Sequence, residues 1–232
     1  MLELFIANKN YSSWSLRPWV LMRELEIPFV EHLIPFSDNI KSNAFRNFSP
    51  SGKVPCLLDG DTVVWDSLAI AEYLAEQTPQ VWPSDRPARA WARSAAAEMH
   101  SGFQALRSLC TMNCGARVRI DSYSSELKKD LDRLDELWLQ SLDRFGGPYL
   151  AGQSFTATDA FFAPVAFRVQ TYELAMAPEA LAYSERLLAL PSMQEWHNAA
   201  LQESWRHEVY EEITRNAGTW LNDYREAGAG PR

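Results

Sequence analysis

Three hydroxyls fall close together at Ser12, Ser13 and Ser15, with Trp14 among them and Arg17 and Pro18 just beyond. A serine beside a helix start can do two things. It can cap the helix by accepting from the free backbone N–H groups of the first turn, or it can donate to an anion held at the positive end of the helix dipole. Two further spots have matching chemistry. Lys53, Val54 and Pro55 combine a cation with an extended backbone, and Asp66-Ser67 sets a carboxylate and a hydroxyl side by side ahead of an apolar helical run. A carboxylate suits an ammonium, while a hydroxyl and free N–H groups suit a carboxylate. Each spot also has a plain structural use, as a helix cap, a strand start or a surface charge.

The elements that must position these residues follow from the pattern. Residues 2–7 are an apolar run of strand length, and residues 19–25 are mostly good helix formers. If Ser15 is the N-cap, Pro18 takes the third helical position, where no intrahelical N–H is needed. Residues 29–34, bounded by Pro28 and Pro35, read as a second strand, and the intervening helix implies a parallel βαβ unit. A short helix is expected near 42–48. Asp59-Gly60 is a hairpin turn between strands at 55–59 and 62–65, and Pro55 is a candidate cis bond at a strand start. Asp66 or Ser67 then caps a helix over 68–76.

Residues 78–87 are proline-rich and aperiodic, which marks a linker between residues 1–77 and 88–232. Beyond it the signal is helical throughout. A long Ala-rich helix is expected from 88 to about 109, and another from 124 to 145, with leucines at helical spacing and Gly146-Gly147-Pro148 ending it. Thr156 and Asp159 have capping-box spacing ahead of a helix continuing over 160–172. Two shorter helices follow near 178–189 and 192–203, and 226–232 form a frayed tail.

Composition narrows the function. With 22 Lys+Arg and 30 Asp+Glu the net charge is −8, which disfavours nucleic acid and anionic membrane surfaces as partners. No apolar run reaches membrane-spanning length, and the N-terminus has no basic flank leading into an apolar segment. Cys56, Cys110 and Cys114 are too few and too odd in number for a secreted disulfide scaffold, so a reducing, cytoplasmic setting is expected. Cys110 and Cys114 would share a helix face as small buried residues. His32, His100, His197 and His207 lack metal-binding spacing and are expected at the surface or satisfied in the core, and no metal is expected.

Taken in order, the serine cluster with Arg17, Gly52-Lys53-Val54-Pro55, Asp66-Ser67, the proline-rich linker, the helical half and Thr156-x-x-Asp159 resemble a cytosolic glutathione S-transferase. The resemblance spans about residues 2–205. The serine stretch is most similar to zeta and tau-like bacterial members, with Trp14 where the zeta pattern has Cys. The resemblance implies an α/β N-terminal thioredoxin-like domain that binds glutathione, followed by an all-α helical domain carrying the electrophile pocket.

It also implies roles. Val54, before a cis Pro55, would pair its backbone with the cysteinyl part of glutathione. Asp66 and Ser67 would hold the γ-glutamyl end, and Lys53 and Lys41 the glycyl carboxylate. Ser12, matched by its distance to Arg17, would donate to the glutathione sulfur, with Ser13 in reserve and Tyr11 poorly placed. Trp14, Phe103 and Arg107 are expected in the electrophile pocket, with His100, Cys110 and Arg168 as further candidates. Arg17 is expected to be an ion-pair partner.

The implied activity is activation of the glutathione thiol, as co-substrate, for attack on a small hydrophobic electrophile. A maleylacetoacetate-type isomerase and a non-catalytic interaction module are the alternatives, and a homodimer is expected. Without cysteine at position 12, conjugation, isomerisation or peroxide reduction fits better than thiol–disulfide exchange.

Overall fold

The structure is a computed structural model, and it describes residues 1–36 and 44–225. Strand β1 (Leu2–Ile6), helix α1 (Ser13–Glu24) and strand β2 (Phe29–Leu33) form the expected parallel crossover, with Leu2 opposite Phe29. Strands β3 (Cys56–Asp59) and β4 (Thr62–Trp65) form the hairpin. Gly60 turns it with φ +56°, a conformation open to glycine at little cost. The sheet order is β2-β1-β3-β4, parallel on one side of β1 and antiparallel on the other. Helix α2 (Ser67–Ala75) follows β4. Between the two halves of the sheet, Ala44–Asn47 make a 3-10 turn where a short helix was expected.

Helix α1 starts earlier than the Ser15 cap would have it. Ser12 is the N-cap residue, and its side chain makes no capping bond. Pro18 therefore sits inside the helix, where its missing N–H leaves the Trp14 carbonyl without its usual partner one turn back.

The expected single helix over 88–109 is two helices. Asp85 caps α3 (Arg86–Ser101) by accepting from Ala88 N at 2.9 Å, and α4 (Gln104–Leu109) follows after Gly102 and Phe103. Phe103 has φ +57°, which turns the chain, and its side chain is buried in the core. Apolar periodicity runs straight through this break, so it left no mark on the pattern. Cys110 ends α4 and Cys114 lies beyond it, so the two do not share a helix face, although both are fully buried.

Strand β5 (Ala116–Arg119) pairs antiparallel with β6 (Thr219–Asp223), adding a two-stranded ribbon to a half read as all helical. Helices α5 (Ser125–Phe145), α6 (Ala157–Tyr172), α7 (Pro178–Leu188) and α8 (Pro191–Gln202) lie near their expected places, and α9 (Glu208–Asn216) was not anticipated. The capping box of α6 is present. Its Asp159 accepts from Thr156 N at 2.9 Å, Leu150 N at 3.0 Å and Tyr183 Oη at 2.9 Å.

A continuous apolar core joins the sheet, α1, α3 and α6, with Trp19, Trp138 and Trp196 fully buried in it. Helix α6 packs against both α1 and α3. It thereby fixes the serine-bearing end of α1 relative to the second half.

Candidate functional site

The landmark residues converge on two adjoining cavities. One, of about 420 Å³, is walled by Tyr11, Ser12, Ser13, Arg107, Arg168 and Tyr210 among others. The other, of about 410 Å³, is walled by Pro55, Trp65, Asp66 and Ser67. Trp14, Lys53 and Val54 line both, so they form the shared wall. A larger cavity, about 820 Å³, opens between the turn after α1 and helix α2, but it touches none of the landmark residues, and size alone does not mark a site.

At the shared wall the Val54–Pro55 peptide is cis, as the strand-start position suggested. Among the described residues, Val54 N–H and C=O enter no hydrogen bond, and Val54 lines both cavities. Exposed backbone of this kind is a ready strand-type partner for a peptide.

Asp66 holds φ +78°, unusual for a residue with a Cβ, and caps α2 by accepting from Leu68 N at 2.8 Å. Its second oxygen lies 3.3 Å from His100 Nε2. Beside it, Ser67 is buried and its hydroxyl has no partner among the described residues. A buried, unpartnered hydroxyl at a helix start is a donor waiting for an acceptor. Lys53 stands on the wall as expected, while Lys41 lies outside the described residues.

Ser12 and Ser13 line the first cavity, and Ser15 is fully buried behind them. Ser12 Oγ donates to Ser15 Oγ at 2.7 Å, and Ser15 Oγ accepts from Ala7 N at 3.3 Å. The Ser13 hydroxyl makes no hydrogen bond among the described residues. Tyr11 is not arranged as a donor to a ligand. Its hydroxyl donates to Glu211 Oε1 at 2.7 Å, and Arg225 braces that carboxylate. Burial, then the bond to Glu211, push the Tyr11 hydroxyl far above its ordinary range, so it keeps its proton.

Two guanidiniums lie against the Trp14 ring. Arg17 lies 4.1 Å from its ring centroid and Arg107 4.8 Å, with the His100 ring edge-on at 5.2 Å. Contrary to the expectation of an ion pair, Arg17 has no carboxylate partner among the described residues. It is 1% exposed, and its Nε and Nη1 are unpartnered. Burial, then Arg107 and Arg168, pull its guanidinium well below its ordinary range, with Asp66 opposing. Arg107 and Arg168 line the cavity, as does Trp14, but Phe103 is packed into the core instead.

His100 does not behave as a satisfied core histidine. Its Nδ1 is buried without a partner among the described residues, and burial holds its pKa below the ordinary value, with Asp66 pulling the other way. Sequence reasoning missed its pairing with Asp66 because a contact across 34 residues leaves no local signal.

Known proteins resemble the chain over both halves. The family model for the glutathione S-transferase N-terminal domain matches residues 11–77, and that for the C-terminal domain matches residues 117–199. Glutathione S-transferase 1 of Dianthus caryophyllus is 28% identical over 177 residues, covering 70% of this chain and 75% of that one. Maleylacetoacetate isomerase of Rattus norvegicus is 27% identical over 201 residues, covering 84% and 91%. Among solved structures, a glutathione transferase homologue from Burkholderia gl BGR1, with bound glutathione, aligns with a TM-score of 0.63 at 24% identity. That alignment covers 86% of this chain and 97% of the other, and it shows a shared fold.

Proposed function

Since the chain belongs to the glutathione S-transferase family and is a glutathione transferase by that membership, we propose how its own residues carry the reaction. Glutathione lies across the shared wall, in residues 1–77, read as the glutathione-binding unit. Its cysteinyl backbone pairs with Val54 N–H and C=O. Its γ-glutamyl ammonium meets Asp66, and the neighbouring carboxylate meets the Ser67 hydroxyl and the first N–H groups of α2. Lys53 takes the glycyl carboxylate. The observation that carries this placement is the unpartnered Val54 backbone, which borders both the Asp66–Ser67 cavity and the serine cavity.

The thiol then points to the start of α1. A free thiol, with a pKa of about 8.5, is mostly protonated at neutral pH, and the thiolate is the nucleophile. Donation from Ser12 at a helix N-terminus favours the charged form. Ser13 supplies a second hydroxyl nearby. The thiolate attacks an electrophilic carbon in the 420 Å³ cavity, and the S–C bond forms as the leaving group departs or the unsaturated bond is opened.

Isomerisation of the maleylacetoacetate type is the second reading, favoured by the rat relative, since reversible thiolate addition needs the same serines. A homodimer and a cytoplasmic setting complete the proposal, the former checked by sedimentation. Retention on immobilised glutathione, followed by conjugation of a chlorodinitrobenzene, tests the whole. Retention with turnover is expected. Neither retention nor turnover would favour a non-catalytic module.

A further inference from the structure

Among the described residues, the wall of the 420 Å³ cavity carries cations and no carboxylate side chain. Lys53, Arg107 and Arg168 line it, and among the described residues no Asp or Glu does, in a chain whose net charge is −8. Unpaired buried guanidiniums are costly, because desolvation is not offset by an opposite charge.

Both arginines are held in place by backbone carbonyls. Arg107 Nε donates to Gly102 O at 2.8 Å and its Nη2 to Met99 O, carbonyls at the negative end of α3. Arg168 is 3% exposed. Its Nε donates to Cys110 O, which ends α4, at 2.8 Å, and its Nη1 to Pro164 O at 3.2 Å. Arg107 Nη1 and Arg168 Nη2 are left without a partner among the described residues. Neither residue forms an ion pair there.

Among the described residues, the other charged groups nearby do not neutralise them. Asp130 attracts Arg107 but spends one oxygen on Leu106 N at 3.0 Å, and Asp66 acts on Arg17. Arg168 repels both Arg17 and Arg107. Burial and that repulsion pull Arg107 down to about 10, yet a guanidinium keeps its proton at neutral pH, so the positive charge stays in the cavity. Two planar forks with fixed stems and free edges suit a carboxylate.

We propose that Arg107 and Arg168 form an anion subsite for a carboxylate on the second substrate, so that the electrophile is an organic acid. The proposal rests on the glutathione placement above, which leaves these two arginines to the second substrate. Glutathione carries a carboxylate of its own at the glycyl end, so the test must separate the two sources.

Two aryl halides that differ in one group serve as probes, chlorodinitrobenzoate and the matching benzamide. In each, the glutathione thiolate forms a C–S bond at the halogen-bearing carbon, and chloride leaves with the C–Cl electron pair. Wild-type protein should prefer the acid in kcat/KM by about 10-fold or more, the worth of a charge-assisted hydrogen bond. Arg107→Gln and Arg168→Met should bring the two probes towards parity, with the KM for glutathione unchanged. Arg168→Lys should keep part of the preference.

Equal use of acid and amide by wild-type protein would overturn the proposal. So would a rise in glutathione KM at an unchanged acid-to-amide ratio, which would assign the arginines to the glycyl carboxylate. If glutathione itself fails to bind, calorimetry with the halogen-free dinitrobenzoate and dinitrobenzamide still decides the matter without it. Acid-selective binding lost in Arg107→Gln supports the subsite, and no selectivity contradicts it. If Arg168→Met does not fold, Arg107→Gln carries the test, because its side chain is only part-buried.

Discussion

The Ser12 hydroxyl lies 2.7 Å from that of Ser15, one helical turn further along α1. Ser15 in turn accepts from Ala7 N, at the end of the first strand. The pair can reverse. When Ser12 turns its hydrogen to a thiolate, Ser15 can donate to Ser12, and the chain of hydroxyls polarises towards the sulfur. On the proposed mechanism, Ser15 is a positioning residue and Ser12 the one that touches the reacting atom.

That relay sets an order among three substitutions. Ser12→Ala should cut kcat by about 100-fold, the usual cost of losing one preorganised donor to a developing charge. Ser15→Ala should cost less, and should raise the pH at which kcat reaches its plateau, which a merely structural role would not move. Ser13→Ala should have the smallest effect. Pre-steady-state conjugation over a pH series checks the order, and a larger loss in Ser13→Ala than in Ser12→Ala would reassign the donor.

Asp66 and Ser67 should act on glutathione binding rather than on chemistry. Asp66→Asn removes the proposed partner of the γ-glutamyl ammonium, and Ser67→Ala removes a buried donor. Each should raise the KM for glutathione by about 10-fold, with kcat at saturation little changed, as expected for uniform binding. Steady-state kinetics in glutathione shows the split.

His100 gives a pH dependence. Its folded pKa lies below its ordinary value because burial disfavours the imidazolium. The unfolded chain therefore binds more protons than the folded one, and unfolding takes up protons as pH falls. The stability tied to neutral His100 is present above its unfolded pKa of about 6.5 and is lost as pH drops through the lower folded value. The urea midpoint of wild-type protein should fall as the pH drops below about 6.5. That fall should be shallower in His100→Gln.

Asp159 is a stability residue. It accepts from two backbone N–H groups and from the Tyr183 hydroxyl, all buried. Asp159→Ala leaves these donors unpaired and should lower stability by about 3 kcal/mol or more. Denaturant unfolding measures the loss, and glutathione affinity in the folded fraction should stay as in wild type.

What could be read in the sequence was local. The hairpin at Asp59-Gly60, the cis Val54–Pro55, the cap at Asp66-Ser67 and the box at Thr156–Asp159 each depend on residues a few positions apart, and all are present. The early start of α1 was hidden because Ser12, Ser13 and Ser15 are equally good caps, and only the fold chooses among them. The β5–β6 ribbon joins Ala116 to Asp223, too far apart for any pattern to show. The same holds for the site. Arg107 and Arg168 come from α4 and α6, and His100 reaches Asp66 from α3, so their meeting is a property of packing alone.

The most direct test is the ionisation of bound glutathione, followed by thiolate ultraviolet absorbance against pH. With wild-type protein the bound thiol should titrate below the free value of about 8.5, and in Ser12→Ala it should move back up by about one to two pH units. An unshifted thiol in wild-type protein, or a Ser12→Ala titration that matches wild type, would contradict Ser12 as the donor that makes the nucleophile.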